Sequence, residues 1–359
     1  MHSFFFCRHR HANRAAVRHC PVTLRGALER LETRDVPSTG LIAVGADEGN
    51  SPRVRLVNRV DGVLVRTIIA YDSAFTGGVR VALGDFNGDG IPDIVTAPGP
   101  GGGPHIKIFD GANFGVFRQF MAYSSDFFGG VYVAVGDVNG DGRLDIITGA
   151  GLGGGPHVKV FDGLTGVTID SFFAYDAAFR GGVTVASGDI NLDTKDDIIT
   201  GTGLGGGPQV KVFSGATGSL IRQFMAFNST FRGGVFVAAA DLNADTRADI
   251  VTGAGPGGLP QVRIFNGVNG SLLTTFSAYD SAFRGGVRVA AYSLDQTGKP
   301  AVITAPGPTG GQSVRVFGSA GQPPTALLSA FAPGFTTGAF VSGFGFPGQS
   351  VGNFFPVTL

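Results

Sequence analysis

The sequence has no tryptophan, only two cysteines and few charges: Asp, Glu, Lys and Arg together make 15% of its 359 residues. Both cysteines, Cys7 and Cys20, lie near the start. The rest of the chain therefore has no disulfide framework, and cysteine usage says little about redox compartment. No apolar run reaches the roughly 18–20 residues of a membrane-spanning helix. The apolar stretch Phe4-Phe5-Phe6 is shorter than the about 7–15 residues of a signal-peptide core. Net charge is zero, but it is uneven. Residues 1–40 hold seven arginines against Glu29, Glu32 and Asp35, which leaves residues 41–359 with a net charge of −4. That body offers nucleic acid no basic face.

Glycine is abundant at 60 residues, with 19 prolines and 31 phenylalanines, and the hydrophobic fraction is 43%. Such a chain has enough apolar side chains for a core and many tight turns, which points to an all-β protein. A period then appears. Gly77, Gly129, Gly181, Gly233 and Gly285 each open a Gly-Gly-Val triplet and are spaced by 52 residues. Phe75, Phe127, Phe179, Phe231, Phe283 and Phe335 keep the same step, as do Tyr71, Tyr123, Tyr175, Phe227 and Tyr279.

One unit reads as four short strands: Val79–Leu83, Ile94–Thr96, Ile106–Phe109 and Phe117–Ala122, separated by Gly, Pro, Asn and Asp. Four strands per repeat is the size of a propeller blade, and solenoid repeats are usually shorter. Residues 41–46 align with the second strand of a unit, and Phe335–Gly343 with the first. Joining the two ends builds one shared blade and hides the sheet edges of an open array. The expectation is a β-propeller of four-stranded blades over 41–359, six in number, with seven if residues 344–359 add more than a closing strand. Residues 1–40 read as a basic, largely disordered leader.

Between the first and second strands lies an acidic loop. Asp85, Asn87, Asp89 and Asp93 take loop positions 1, 3, 5 and 9; the next copies are Asp137, Asn139, Asp141 and Asp145, then Asp189, Asn191, Asp193 and Asp197, then Asp241, Asn243, Asp245 and Asp249. Calcium takes six to eight oxygen ligands, and carboxylates at alternate positions can wrap one ion. A backbone carbonyl at position 7 would come from Ile91, Arg143, Lys195 or Arg247. Magnesium, which prefers a rigid octahedron and retained waters, fits less well. The plainer reading is a metal-free hairpin held by Asx turns, against which the crowding of like charges argues. Gly90 and Gly142 suit a left-handed turn at position 6, whereas Thr194 and Thr246 suit it poorly, so the third and fourth loops should bind more weakly. A fifth copy, Ser293, Asp295, Thr297 and Ala301, keeps one carboxylate and should not bind calcium.

These features resemble the FG-GAP repeat of integrin α-subunit propellers and its VCBS relatives in bacterial surface proteins. The residues that carry the resemblance are Phe75-x-Gly77-Gly78, Gly84-Asp85-x-Asn87-x-Asp89-Gly90-x-x-Asp93-Ile94 and Ala97-Pro98-Gly99. Phe-x-Gly-Gly and the longer Gly-Gly-Gly-Pro turn depart from the family pattern and leave the partner open. A second, shorter resemblance lies at Leu28–Ser38, similar to an LExLExRxVPS segment of large secreted bacterial proteins. It implies secretion or placement at the cell surface.

Other signals carry less. Gly149, Gly151 and Gly154 match GxGxxG, but a proline and a strand follow where a helix is required. His105 and His157 are repeat-equivalent to Gln209, Gln261 and Ser313, unlike a unique catalytic histidine. Lys107, Lys159, Lys211, Arg263 and Arg315 alternate with Ile or Val and most simply face solvent. Arg180, Arg232 and Arg284 either line shallow pockets between blades or pack over an aromatic ring. With no symmetry-breaking cluster of catalytic groups, the expected function is a non-enzymatic binding or adhesion module, monomeric, with structural calcium and a protein or glycan partner at the cell surface. A lectin-like propeller is the alternative, and a polysaccharide-active enzyme the third reading.

Overall fold

The computed structural model describes residues 40–59, 61–293, 299–331 and 335–344, and among these it contains strands and no helix. The first strands are β1 (Leu41–Ala46), β2 (Arg53–Asn58) and β3 (Leu64–Ile69). Blade 1 follows as β4 (Val79–Gly84), β5 (Asp93–Pro98), β6 (His105–Phe109) and β7 (Val116–Met121). Blade 2 is β8 (Val131–Gly136), β9 (Asp145–Ala150), β10 (His157–Phe161) and β11 (Thr168–Phe173). Blade 3 is β12 (Val183–Gly188), β13 (Asp197–Thr202), β14 (Gln209–Phe213) and β15 (Leu220–Met225). Blade 4 is β16 (Val235–Ala240), β17 (Asp249–Ala254), β18 (Gln261–Phe265) and β19 (Leu272–Ser277). Blade 5 is β20 (Val287–Tyr292), β21 (Ala301–Pro306), β22 (Ser313–Gly318) and β23 (Gly321–Ser329), and β24 (Ala339–Gly343) ends the series.

The strands form six antiparallel sheets of four, and the sixth has the order β24-β1-β2-β3. In it Ala46 pairs with Ala339 and Ile42 with Gly343, so the two ends of the propeller share one blade as the repeat alignment requires. Six blades, not seven, close the ring; residues 345–359 lie outside the described residues, as does the leader expected over 1–40 except for Gly40.

Each blade packs its two faces against two neighbours. Six apolar clusters result, one at every blade interface. Val95, Ile106 and Ile108 of blade 1, for example, meet Val131, Ile146 and Phe161 of blade 2. Ile42, Ile94, Ile146, Ile198 and Ile250 occupy one repeat position at 0–1% exposure. Each such side chain contributes about 1.5–3 kcal/mol by leaving water.

The innermost strands β4, β8, β12, β16, β20 and β24 surround the axis. Their hairpins to the second strands place the acidic loops on one end of the ring. The Gly-Gly-Gly-Pro turns and the Phe-x-Gly-Gly segments lie on the other, the Gly-Pro end. There Gly77 has no room for a side chain: a Cβ would sit 1.9 Å from the Pro100 carbonyl oxygen and 2.5 Å from the Phe75 ring. Gly78, at φ 78°, needs the left-handed freedom of glycine as well. The Phe-x-Gly-Gly signature is thus a ring seated on bare backbone.

Candidate functional site

The four acidic loops share one geometry. In the first, the two oxygens of Asp85 accept the N–H groups of Gly88 at 2.7 Å and Gly90 at 2.8 Å. Asn87 Oδ1 accepts Asp89 N–H, and Asp89 Oδ1 accepts Ile91 N–H. Asp137 receives Gly140 and Gly142, with Asn139 accepting Asp141 N–H and Asp141 accepting Arg143 N–H. Asp189 receives Leu192 and Thr194, Asn191 receives Asp193, and Asp193 receives Lys195. Asp241 receives Ala244 and Thr246, Asn243 receives Asp245, and Asp245 receives Arg247. The loop is thus a chain of Asx turns, which the sequence reading treated as the plainer alternative.

The residue at position 9 differs from the rest. Asp93, Asp197 and Asp249 are 0% exposed and Asp145 is 1% exposed. Asp93 takes Phe86 N–H on one oxygen and Gly111 N–H on the other, fastening the acidic loop to the neighbouring β6–β7 turn. Asp197 repeats this with Ile190 and Gly215, and Asp249 with Leu242 and Gly267. Asp145 takes Val138 and Asn139 N–H. Burial, with the charges of loop neighbours, pushes all four carboxyls up to about 6 despite these hydrogen bonds. A carboxylate in that position gains from a nearby cation.

No group of three or more Asp, Glu, His or Cys side chains among the described residues is gathered into a ready chelating cluster. The donor chemistry nonetheless fits a hard cation. Each loop offers three carboxylates, an amide oxygen and a position-7 carbonyl, and every donor is oxygen. Most of the carboxylate oxygens keep a second lone pair beyond one N–H partner, although Asp137 Oδ1 and Asp145 Oδ2 each accept two N–H groups. The ligands would have to close around an ion from positions already held by the turn.

Two features escaped the sequence reading. The left-handed positions in the third and fourth loops are four, not two: Leu192 and Ala244 at φ 63° join Thr194 at 70° and Thr246 at 72°. Neighbouring loops are also tied together. Asp196 N–H donates to the Asp137 carbonyl at 2.8 Å while its carboxylate accepts Asp137 N–H at 3.0 Å, and Ala248 N–H donates to the Asp189 carbonyl. Burial and the charges around it push Asp196 up to about 7. The fifth copy's Asp295 and Thr297 lie outside the described residues.

The cations of the third strands are half-buried and fold back onto the protein, contrary to expectation. Lys107 Nζ donates to the Ala70 carbonyl at 3.0 Å and lies over the Tyr71 ring. Lys211, Arg263 and Arg315 do the same to Ala174, Ala226 and Ala278, over Tyr175, Phe227 and Tyr279. Arg55 does so with Ala330 and Phe331 across the closing interface. Tyr71 and Tyr175 are half-buried and Tyr279 is buried, with hydroxyls held by carbonyls such as His105 O at 2.7 Å, and burial of the hydroxyl raises them far above their ordinary pKa. Arg180, Arg232 and Arg284 are exposed and bond the carbonyls of their own loops, Ala177, Ser229 and Ser281.

Residues 85–148, which run from the first acidic loop through the second and exceed one 52-residue repeat, match the model of the FG-GAP-like repeat family. The match covers the loop, the strands that follow and the next inner strand, and the 52-residue period carries it around the six-bladed ring. The chain is a six-bladed β-propeller that carries an FG-GAP-like repeat. Among curated proteins it is similar to integrin alpha-V of Gallus gallus, 34% identical over 90 residues that cover 23% of this chain and 8% of the relative. This FG-GAP propeller therefore spans a small part of the length of the curated relative it matches. Among the described residues no helix is long and apolar enough to cross a membrane.

Proposed function

We propose that this FG-GAP propeller is a non-enzymatic binding module, placed outside the cell and stiffened by calcium in its acidic loops. Its family and its likeness to an integrin α subunit support a module of the binding or adhesion type. The observation that carries the calcium reading is the repeated set of oxygen donors, three carboxylates to a loop, none of them ion-paired to a basic residue among the described residues. The first two loops, with glycine at both left-handed positions, bind more tightly than the third and fourth. The donor roles fall to Asp, Asn, Asp and Asp at positions 1, 3, 5 and 9, with the carbonyl of position 7.

Calcium bound to the folded state raises its stability by mass action. The melting temperature should fall on chelation and return with calcium, and Asp89→Ala or Asp141→Ala should remove more of that return than Asp245→Ala. A melt indifferent to chelator and to added calcium would end the metal reading. The partner is a protein or a glycan at the cell surface; signal on a glycan array would favour the lectin-like form, and its absence a protein partner.

A further inference from the structure

The six positions that face the axis near the Gly-Pro end step by 52 residues: Arg80, Tyr132, Thr184, Phe236, Arg288 and Phe340. Tyr132, Phe236 and Phe340, from alternate blades, form a triangle with centroids 6.3–6.4 Å apart. The two arginines stand on either side of Phe340. Arg80 lies 5.0 Å from the centroids of both Tyr132 and Phe340, and Arg288 lies 5.2 Å from Phe236 and 4.8 Å from Phe340. Both are buried, at 7% and 6% exposure.

Their charges are not balanced alike. Arg288 is ion-paired to Asp47, which takes the repeat position that is Gly99, Gly151, Gly203, Gly255 and Gly307 in the other blades. Arg80 is ion-paired to no carboxylate among the described residues. Nε and Nη1 of both arginines are buried and have no hydrogen-bond partner among the described residues. Cation–π contacts do not offset the desolvation of a buried guanidinium, which elsewhere is met by an acid or an acceptor. Above these groups opens a pocket of about 220 Å³, rimmed by the repeat-equivalent Pro100, Leu152, Leu204, Pro256 and Pro308. Glu48, the remaining charged residue of the lining, is exposed and screened by solvent.

We propose that this axial pocket is a binding site for a small oxyanion, a carboxylate or a phosphate, held by Arg80 and Arg288 with Tyr132 beside them. Guanidinium forks recognise these groups by charge-assisted hydrogen bonds. Arg80, Arg288 and Asp47 together carry a net charge of +1, which a single carboxylate neutralises. The apolar rim suits an anion presented on an apolar carrier. The site is on the opposite end of the ring from the acidic loops and does not depend on calcium.

The test is calorimetric titration of the full chain, in chelator and at constant ionic strength, with acetate and with inorganic phosphate, chloride being the background salt. Saturable binding of either anion is expected, and the preferred one tells a planar carboxylate from a tetrahedral ligand. Arg80→Met, close in length and free of charge, should weaken it about ten-fold or more. Asp47→Asn, which frees Arg288, should tighten it, and this variant decides the matter if Arg80→Met does not fold. No saturable binding of either anion to the wild type overturns the proposal, as does undiminished binding by Arg80→Met or binding by Asp47→Asn no tighter than wild type.

Discussion

At the scale of the residue, the third acidic loop keeps the shape of the first at a cost. Thr194 holds φ 70° where the first loop has Gly90 at 80°. A left-handed backbone costs a residue with a Cβ about 1–2 kcal/mol, less the entropy that glycine forfeits on ordering. Thr194→Gly should therefore stabilise the protein by about 1 kcal/mol in urea unfolding, and Gly90→Thr should destabilise it by a similar amount. Equal unfolding midpoints for wild type and both variants would mean that the loops bear no such strain. Asp93 allows a sharper separation of roles. Removing its carboxylate leaves the buried N–H groups of Phe86 and Gly111 without acceptors, at about 1–3 kcal/mol each. Asp93→Ala should accordingly lower stability by about 2–4 kcal/mol even in chelator, whereas Asp89→Ala should matter mainly when calcium is present. If Asp93→Ala is harmless in chelator, position 9 is a ligand and not a clamp.

At the scale of the element, strand positions were legible in the sequence because turn residues and apolar alternation recur at a fixed step. The observed β4 to β7 lie within a residue or two of the spans expected. The side a residue faces was less legible. Alternation tells solvent from core when one face of a sheet is wet, but a blade packs both faces against neighbours. Lys107 and Arg263 therefore sit against the aromatic ring of the preceding inter-blade loop, although their spacing from Ile and Val suggested solvent. Arg80 is buried by the same logic at the axis. The acidic loops were readable as a donor set, but their Asx hydrogen bonding to backbone, and the tie from Asp196 to Asp137, depend on which loops the ring makes adjacent. The clasp is measurable. Arg263→Met should cost about 1–2 kcal/mol, since the Ala226 carbonyl loses a charged donor. A double-mutant cycle with Phe227→Leu should show about 0.5–1 kcal/mol of coupling. Strict additivity would reduce the stacking to mere proximity.

At the scale of the whole molecule, stability is distributed over six interfaces, and the ring exists because the sixth is sealed. β1 pairs on one side with β2 and on the other with β24, and all of Leu41–Ala46 is buried as a result. Arg55 adds a clasp to Ala330 across the same closing blade. Removing the chain from Ala339 onward would bare the β1 edge together with the apolar cluster of Ile42, Val44 and Ala46 that now meets Ala339 and Val341. An exposed, flat, apolar edge strand is a template for pairing with another chain. The truncated protein should lose its single cooperative melt and sediment as associated species, while the full chain stays closed. Supplying residues 335–344 as a separate peptide should restore the single cooperative melt, since the peptide offers the missing strand in its native register. A truncated chain that remained monomeric and melted as the full chain does would mean that the blade interfaces alone hold the ring, and that the shared blade adds closure without adding stability.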